Sequence, residues 1–409
     1  MSDTERVLVI GAGASGLMAA GTAARRGRAV VLLERNRQVG RKLRIAGKGR
    51  CNFTNDTDID GLLANIPGNP RFLRHAFYQF DAQAAIDFFA RLGVPSKVER
   101  GGRVFPVSDD ADDIADALEH YCRDAGVTIE TEVGIRRLHL KEGTVAGIEL
   151  ESGKLIGGSK VILATGGASY PGTGSRGDGY RMAAEAGHTI MPIRPSLVPL
   201  ETAERWPGEA QGLSLRNVTL TAFSPDGKKV YSELGEMLLT HYGVSGPLVL
   251  TASRHLLTLP GSRLEIDLKP GLDEETLDAR LLRDFDQSRR KHFANALDDL
   301  LPRSLIPVIV QLSEIPPDTP VFALTRLQRR KLVQLFKHLT LTVTKARPFA
   351  EAIVTVGGVS TREIDPHTME SRIVPGLYFT GEVIDVDGYT GGFNLQIAWS
   401  TGHLAGESV

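Results

Sequence analysis

Three glycines, Gly11, Gly13 and Gly16, follow a short apolar run, and Glu34 comes 23 residues after the first of them. Each has a physical task in a phosphate-binding turn. Gly11 permits a sharp exit from a strand, Gly13 lets a pyrophosphate approach the backbone, and Gly16 lets a helix pack closely on the strand. The N–H groups around Ala14, Ser15 and Gly16, at the start of that helix, would face the phosphates. Glu34 would accept hydrogen bonds from both hydroxyls of a ribose and would repel a 2′-phosphate, which argues against NADP here. The chemistry expected is dinucleotide binding.

Other residues suggest reactions rather than binding. Arg41, Lys42, Arg44, Lys48 and Arg50 crowd one glycine-interrupted segment, which reads either as a solvated face or as a folded-back anion-binding loop. Cys51 follows it. It is either a reactive thiol or a packed small residue, and without a partner it is a poor candidate for thiol exchange. His241 lies in a glycine-flanked loop and could be structural or a proton donor, since histidine titrates near neutrality. Tyr170 and Tyr389, each beside a glycine loop, could also donate a proton. The runs Arg289–His292 and Arg329–Lys331 read as solvated faces, or as contacts to phosphates of NADPH or a nucleic acid. No aromatic residues are interleaved with them to stack bases. Cys51 and Cys122 form no C-x-x-C pair, which argues against a thiol relay and a structural zinc site, and no metal is expected.

The elements that must hold these residues follow from hydrophobic period. Val7–Ile10 and Val30–Leu33 are continuous apolar runs typical of strands buried on both faces, with helix from Leu17 to Arg26 between them. Residues 127–158 read as a small antiparallel meander. The strand Val161–Ala164 comes next and runs into Thr165 and Gly166. From residue 195 alternation marks a β region, with Val218, Leu220 and Ala222 on one face and a hairpin turn at Pro225-Asp226-Gly227. Residues 269–338 carry helical spacing, as in Leu281, Phe285, Phe293, Leu297 and Leu301. Buried strands return at Ala352–Val356 and Leu377–Thr380, followed by Gly381, Glu382, a glycine turn and a final helix. Both ends of the chain thus contribute to one α/β domain. That arrangement suits FAD better than NAD, because FAD is long and a second helix N-terminus can neutralise its reduced ring.

Composition excludes little else. Among the 409 residues 42% are apolar and 24% charged, and the net charge is −1, as in ordinary soluble domains. No general field would recruit nucleic acid or anionic lipid. No run approaches the ~20 apolar residues of a membrane helix. The start lacks the features of a signal peptide, so a cytoplasmic location is expected.

Longer motifs carry a family resemblance. They are Gly40-Arg41-Lys42-Leu43, Ala46-Gly47-Lys48-Gly49-Arg50-Cys51-Asn52-Phe53-Thr54-Asn55, Ala164-Thr165-Gly166-Gly167 and Gly172 to Gly179. Leu239 to Pro247, and Gly381-Glu382 through Gly391 to Gln396, complete the set. The chain resembles the BaiN/RdsA-like NAD(P)/FAD-dependent oxidoreductases, within the two-dinucleotide-binding flavoproteins. The resemblance implies a discontinuous Rossmann-like FAD-binding domain (residues 1–194 and 350–409). Inserted in it would be a small β-barrel domain (195–268 and 339–349) and a helical subdomain (269–338). It implies that Glu34 holds the adenosine ribose, that Arg41 and Lys42 neutralise phosphate or ring charge, and that Val133 offers backbone groups to adenine. Asp178 would support the cofactor, Glu382 would bind the ribityl chain, and Asn394 and Leu395 would present N–H groups to the ring. Many related flavoproteins have Asp where this chain has Glu382, and the longer carboxylate still reaches a hydroxyl. The activity implied is hydride transfer from NAD(P)H through noncovalent FAD to an unsaturated carbonyl compound. No second G-x-G-x-x-G is present, so the nicotinamide would bind transiently. Two rival readings are a flavoprotein acting on tRNA or another nucleic acid, and an amine oxidase using oxygen.

Overall fold

The computed structural model describes residues 6–256 and 260–409. The chain divides into two compact units. One comprises Met1–Pro195 and Ala352–Val409, the other Ser196–Glu351.

The first unit is built on a five-stranded parallel sheet. Its centre is β1 (Val7–Ile10), flanked by β2 (Val30–Leu33) and by the Lys160–Leu163 strand; Thr128–Glu130 and Leu377–Phe379 form the edges. All four residues of β1 are buried, as a strand covered on both faces requires. Helix α1 (Ala14–Arg25) connects β1 to β2 and packs against the last helix, Phe393–Ser408. Small residues make that contact close: a Cβ at Gly402 would lie 2.5 Å from the Ser15 carbonyl oxygen, and one at Gly406 would lie 2.7 Å from that of Ala19.

Two local expectations are corrected. The meander is shorter than the pattern of residues 127–158 suggests. Thr128–Glu130 pairs with β2 in the parallel sheet, and only Ile135–Lys141, Thr144–Leu150 and Leu155–Gly157 form the antiparallel meander. Three residues are too few for alternation to reveal which sheet they join. The strand expected at Ala352–Val356 spans Val354–Val359 and pairs with Ile190–Ser196 in a separate two-stranded sheet.

The second unit contains a closed six-stranded antiparallel barrel, the β insert that the resemblance implies. Around it run Leu200–Thr202, Gly243–Ser245, Lys229–Thr240, Ser214–Phe223, Arg263–Asp267 and Leu339–Ala346. Val218, Leu220 and Ala222 are buried with Leu264, Ile266, Leu341 and Val343, the inward half of an alternating pattern. Between the last two strands lie helices Glu274–Gln287, Ile306–Ser313 and Arg326–Lys337. Asp273 caps the first, and Thr325 with Gln328 forms a capping box on the third.

Candidate functional site

The glycine turn between β1 and α1 separates its three glycines by role. Gly11 has φ +99°, and a Cβ there would lie 2.6 Å from the Ala164 carbonyl oxygen. A Cβ at Gly16 would lie 1.9 Å from the Gly11 carbonyl oxygen. Both glycines are demanded by the chain's own packing. Gly13 is different: no described atom lies within 4 Å of where its Cβ would be. Gly13 caps α1 without a side-chain hydrogen bond, and the first intrahelical donor is Leu17, 3.0 Å from the Gly13 oxygen. The N–H groups of Ala14, Ser15 and Gly16 therefore have no acceptor within the helix. An open backbone beside unclaimed donors is the cradle that a phosphate group fits.

Glu34, at the end of β2, is buried. One carboxylate oxygen accepts the Ala12 N–H at 2.8 Å; the other accepts the Asn36 N–H at 2.9 Å and the Asn36 side-chain amide at 2.7 Å. The Glu34 carbonyl accepts the Val133 N–H at 2.9 Å, so of Val133's two backbone groups the N–H is engaged. Val133 lies between the parallel edge strand and the meander. After the Lys160–Leu163 strand, the buried Thr165 hydroxyl has no hydrogen-bond partner among the described residues. Gly166 follows with φ +70°. Asp178 opens the helix Asp178–Glu185 and pairs with Arg35, which also reaches Glu151 at 3.3 Å.

Lys42 and Glu382 join distant parts of this unit. The Lys42 ammonium lies 2.8 Å from Glu382 Oε2 and donates to Ser169 Oγ at 2.6 Å. Glu382 Oε1 accepts from the Thr355 N–H at 2.7 Å and from Ser169 Oγ at 2.9 Å. Burial pushes the Glu382 carboxyl up. The Lys42 charge and the hydrogen bonds from Lys42, Thr355 and Ser169 outweigh that effect and hold it below the usual carboxylate range. Gly381 beside it donates its N–H to Thr401 Oγ1 at 2.9 Å and sits against the Ser15 hydroxyl.

The last helix supplies a second open N-terminus. Gly392 caps it with φ +99°, and no side chain caps it. Gln396 is the first backbone donor to return to Gly392, at 3.0 Å, which leaves the N–H groups of Asn394 and Leu395 without intrahelical acceptors. The Asn394 side chain holds the preceding loop: it donates to Gly388 O at 2.7 Å and accepts the Gly388 N–H at 2.9 Å. Sequence reasoning missed what pins this helix. Thr54 Oγ1 bonds Gln396 Oε1 at 2.5 Å, Gln396 Nε2 donates to Phe80 O at 2.9 Å, and Trp399 Nε1 donates to Phe53 O at 2.8 Å. Gln396 and Thr54 stand in the motifs, but nothing local indicates that they meet.

The basic segment has several structural ties. Arg44 is held by Asp112 at 2.8 Å and Asp116 at 2.6 Å, and Arg50 by Glu99 and Asp109. Lys42 is engaged by Glu382, and Arg41 reaches Asn36 Oδ1 at 3.3 Å. Lys48 is exposed, with a left-handed backbone at φ +60°. Cys51 is fully buried, and burial pushes its thiol far above the ordinary range. It is therefore protonated and shielded at neutral pH. Tyr170 lies at the surface of the loop after Gly166 and Gly167. Tyr389 is partly buried and donates its N–H to Asn65 O. His241 belongs to the second unit, in the turn from Lys229–Thr240 to Gly243–Ser245, with its ring 4.8 Å from that of Tyr242. The first unit thus brings together the glycine turn, Glu34, the Val133 loop, Lys42 with Glu382, and the start of the last helix. Two open helix N-termini and the space at Gly13 fit a long dinucleotide. Among the described residues no cluster of His, Cys, Asp and Glu could hold a metal ion.

Comparison with known proteins extends this picture. The model of the HI0933-like protein Rossmann domain matches residues 5–408. A 3-dehydro-bile acid delta(4,6)-reductase from Clostridium scindens is 36% identical, over 99% of this chain and 98% of its own. A ribosomal RNA dihydrouridine synthase from Escherichia coli is 34% identical, over 96% of this chain and 95% of its own. Among solved structures, 3-ketosteroid delta1-dehydrogenase from Sterolibacterium denitrificans superposes with a TM-score of 0.52 at 13% identity, covering 99% of both chains. That likeness concerns the fold alone.

Proposed function

The chain belongs to the HI0933-like Rossmann family and is a flavin-dependent oxidoreductase with FAD as its cofactor; from that premise we propose that it reduces a carbon–carbon double bond conjugated to a carbonyl, with NAD(P)H as the electron source. Bound FAD supplies the redox step, receiving and passing on two electrons as hydride. The protein's part is binding, orientation and proton supply. The Gly13 backbone and the N–H groups of Ala14, Ser15 and Gly16 receive the pyrophosphate, and Glu34 turns its carboxylate to the adenosine ribose. The Val133 carbonyl is the backbone group left to adenine. Thr165 and Gly166 line the path between the two helix N-termini. Arg41 adds positive charge at the phosphates. Lys42 and Glu382 hold the segments around the ribityl chain, and Asp178 keeps Arg35 in place behind them. The N–H groups of Asn394 and Leu395, free of intrahelical acceptors, would face the cofactor ring and favour negative charge on it. Tyr170 is the candidate within this unit for giving a proton to the carbon next to the substrate carbonyl. Cys51 has no part in this scheme, because a buried neutral thiol is a poor acid.

The observation that carries the reading is the pair of open helix N-termini, the first of them capped by an uncrowded Gly13. The substrate class rests on two relatives. A 3-keto steroid unsaturated at carbons 4 and 6 and a uracil ring share one functional group, a ring double bond conjugated to a carbonyl.

An anaerobic experiment tests this. NADH or NADPH should bleach the visible band of the bound flavin, and a 4-en-3-one steroid or uridine-containing RNA should restore it. Tyr170→Phe should slow the restoring half by roughly 10²–10⁴-fold and leave the bleaching half unchanged. His241→Gln, run in parallel, asks the same of the histidine. If no conjugated carbonyl compound restores the band while amines bleach it and oxygen restores it with peroxide release, the chain is an oxidase instead.

A further inference from the structure

We propose that a groove on the helical part of the second unit binds single-stranded nucleic acid. The groove, about 520 Å³, lies between the helix Glu274–Gln287 and the turn Val321–Ala323. Phe322 and Leu282 both line it and are 64% and 48% exposed. Three arginines and one carboxylate, Asp286, line the groove with them. Arg283 forms no ion pair among the described residues, and the nearest carboxylate to Arg289 is Asp286, 3.7 Å away with both side chains exposed. Arg329, on the far wall, is engaged by Asp278 through contacts of 2.6 and 3.0 Å.

The fold adds a second source of charge. The Val321 N–H donates to the Lys291 carbonyl at 3.1 Å, and His292 bridges Pro320. The run Arg289–His292 is thereby tied alongside the turn that carries Phe322, although some thirty residues separate them in the chain. Arg290 and Lys291 form no ion pair among the described residues.

An exposed phenyl ring beside the unpaired Arg283, with Arg290 and Lys291 on the segment tied next to it, is an arrangement that can take an unstacked base on its face and phosphates at its rim. A purely apolar partner would bury Arg283 without counter-charge. A duplex hides its base faces, so Phe322 would contribute nothing to it. The groove is lined by none of the residues assigned to the redox site, and its binding can be measured without turnover, so its failure and that of the redox reading are separable.

The test uses full-length protein loaded with FAD and fluorescein-labelled oligouridylate, followed by fluorescence anisotropy at several salt concentrations. Wild type should bind, with affinity falling as salt rises. Phe322→Ala should weaken binding roughly tenfold and leave the salt slope unchanged. Arg283→Gln with Arg289→Gln should weaken binding and flatten the slope by about 1.4, the change expected for two lost phosphate contacts on a single strand. Oligothymidylate of equal length should bind by the same contacts, and a duplex should be insensitive to Phe322→Ala. Both variants should retain FAD and the wild-type rate of flavin bleaching by NAD(P)H. The proposal is overturned if wild type shows no binding at about 50 mM salt, or if both variants bind like wild type. It is also overturned if sedimentation shows a dimer that Phe322→Ala dissociates, because the groove would then hold a second copy of this chain.

Discussion

Gly13 and Gly16 belong to one motif and answer to different constraints. A Cβ at Gly16 would collide with the Gly11 carbonyl, whereas the space beside Gly13 is open and its φ of −83° suits any residue. Gly16→Ala should therefore fail as a folding mutation, with a loss beyond about 4 kcal/mol or no soluble protein. Gly13→Ala should melt within a few degrees of wild type when both lack FAD. Its methyl group would stand where the pyrophosphate approaches, and FAD affinity should fall by roughly tenfold or more, equivalent to about 1.4 kcal/mol. Thermal unfolding of the apo-proteins and a flavin titration separate the two effects. Gly13→Ala protein that binds FAD like wild type would remove the phosphate cradle from the proposal. At this scale the glycine spacing and Glu34 were legible, because a turn and its flanking elements are local properties of the chain. The burial of Cys51 was not. Whether a small residue faces solvent or core depends on what packs over it.

The elements of the first unit are tied by polar contacts that span most of the chain. Lys42 lies in the short helix Arg41–Arg44 after β2, Glu382 follows the last strand of the sheet, and Ser169 and Thr355 complete the cluster. Because the Glu382 carboxyl titrates below its usual value in the folded state, the cluster stabilises the fold above the ordinary carboxylate range. That contribution is lost as pH falls through the lowered folded value. Lys42→Met should cost about 1–3 kcal/mol at neutral pH, between the surface and buried limits for ion pairs. The difference from wild type should shrink as Glu382 becomes protonated in both proteins. Thermal melts of the apo-proteins at pH 7 and in steps below the ordinary carboxylate range check this, and a pH-independent gap would assign the effect to lost packing instead. The basic segment illustrates the same point about legibility. Its charge was obvious, but the partners of Arg44 and Arg50 lie some fifty to seventy residues away. Neither a solvated face nor a bare anion loop describes a segment in which several cations are engaged by carboxylates.

For the whole molecule the main feature is that Ser196–Glu351 is one continuous stretch with its own core and a closed barrel. A closed barrel leaves no open strand edge, and a separate core does not need the other unit to bury it. The excised segment 196–351 should therefore fold alone and unfold in a single cooperative transition, as followed by circular dichroism. A fragment that binds hydrophobic dye and melts without a transition would show that the core is incomplete. The first unit is made from two separate pieces of chain, and neither piece alone contains the full parallel sheet.

Read alone, the sequence determined the strand–turn–helix unit, the alternation of the barrel strands, the helical stretch near the middle and the return of the C-terminal strand. These follow from residue periodicity and turn chemistry, which act between near neighbours. Only the tertiary structure decided that Thr128–Glu130 joins the parallel sheet and that Lys42 meets Glu382. It also placed Gln396 and Trp399 as the anchors of the last helix on Thr54 and Phe53, and set Phe322 beside a basic run some thirty residues earlier in the chain. Each of these contacts joins residues distant in the chain. Closing such loops is governed by the packing of the entire unit, and no local pattern records which partners that packing selects.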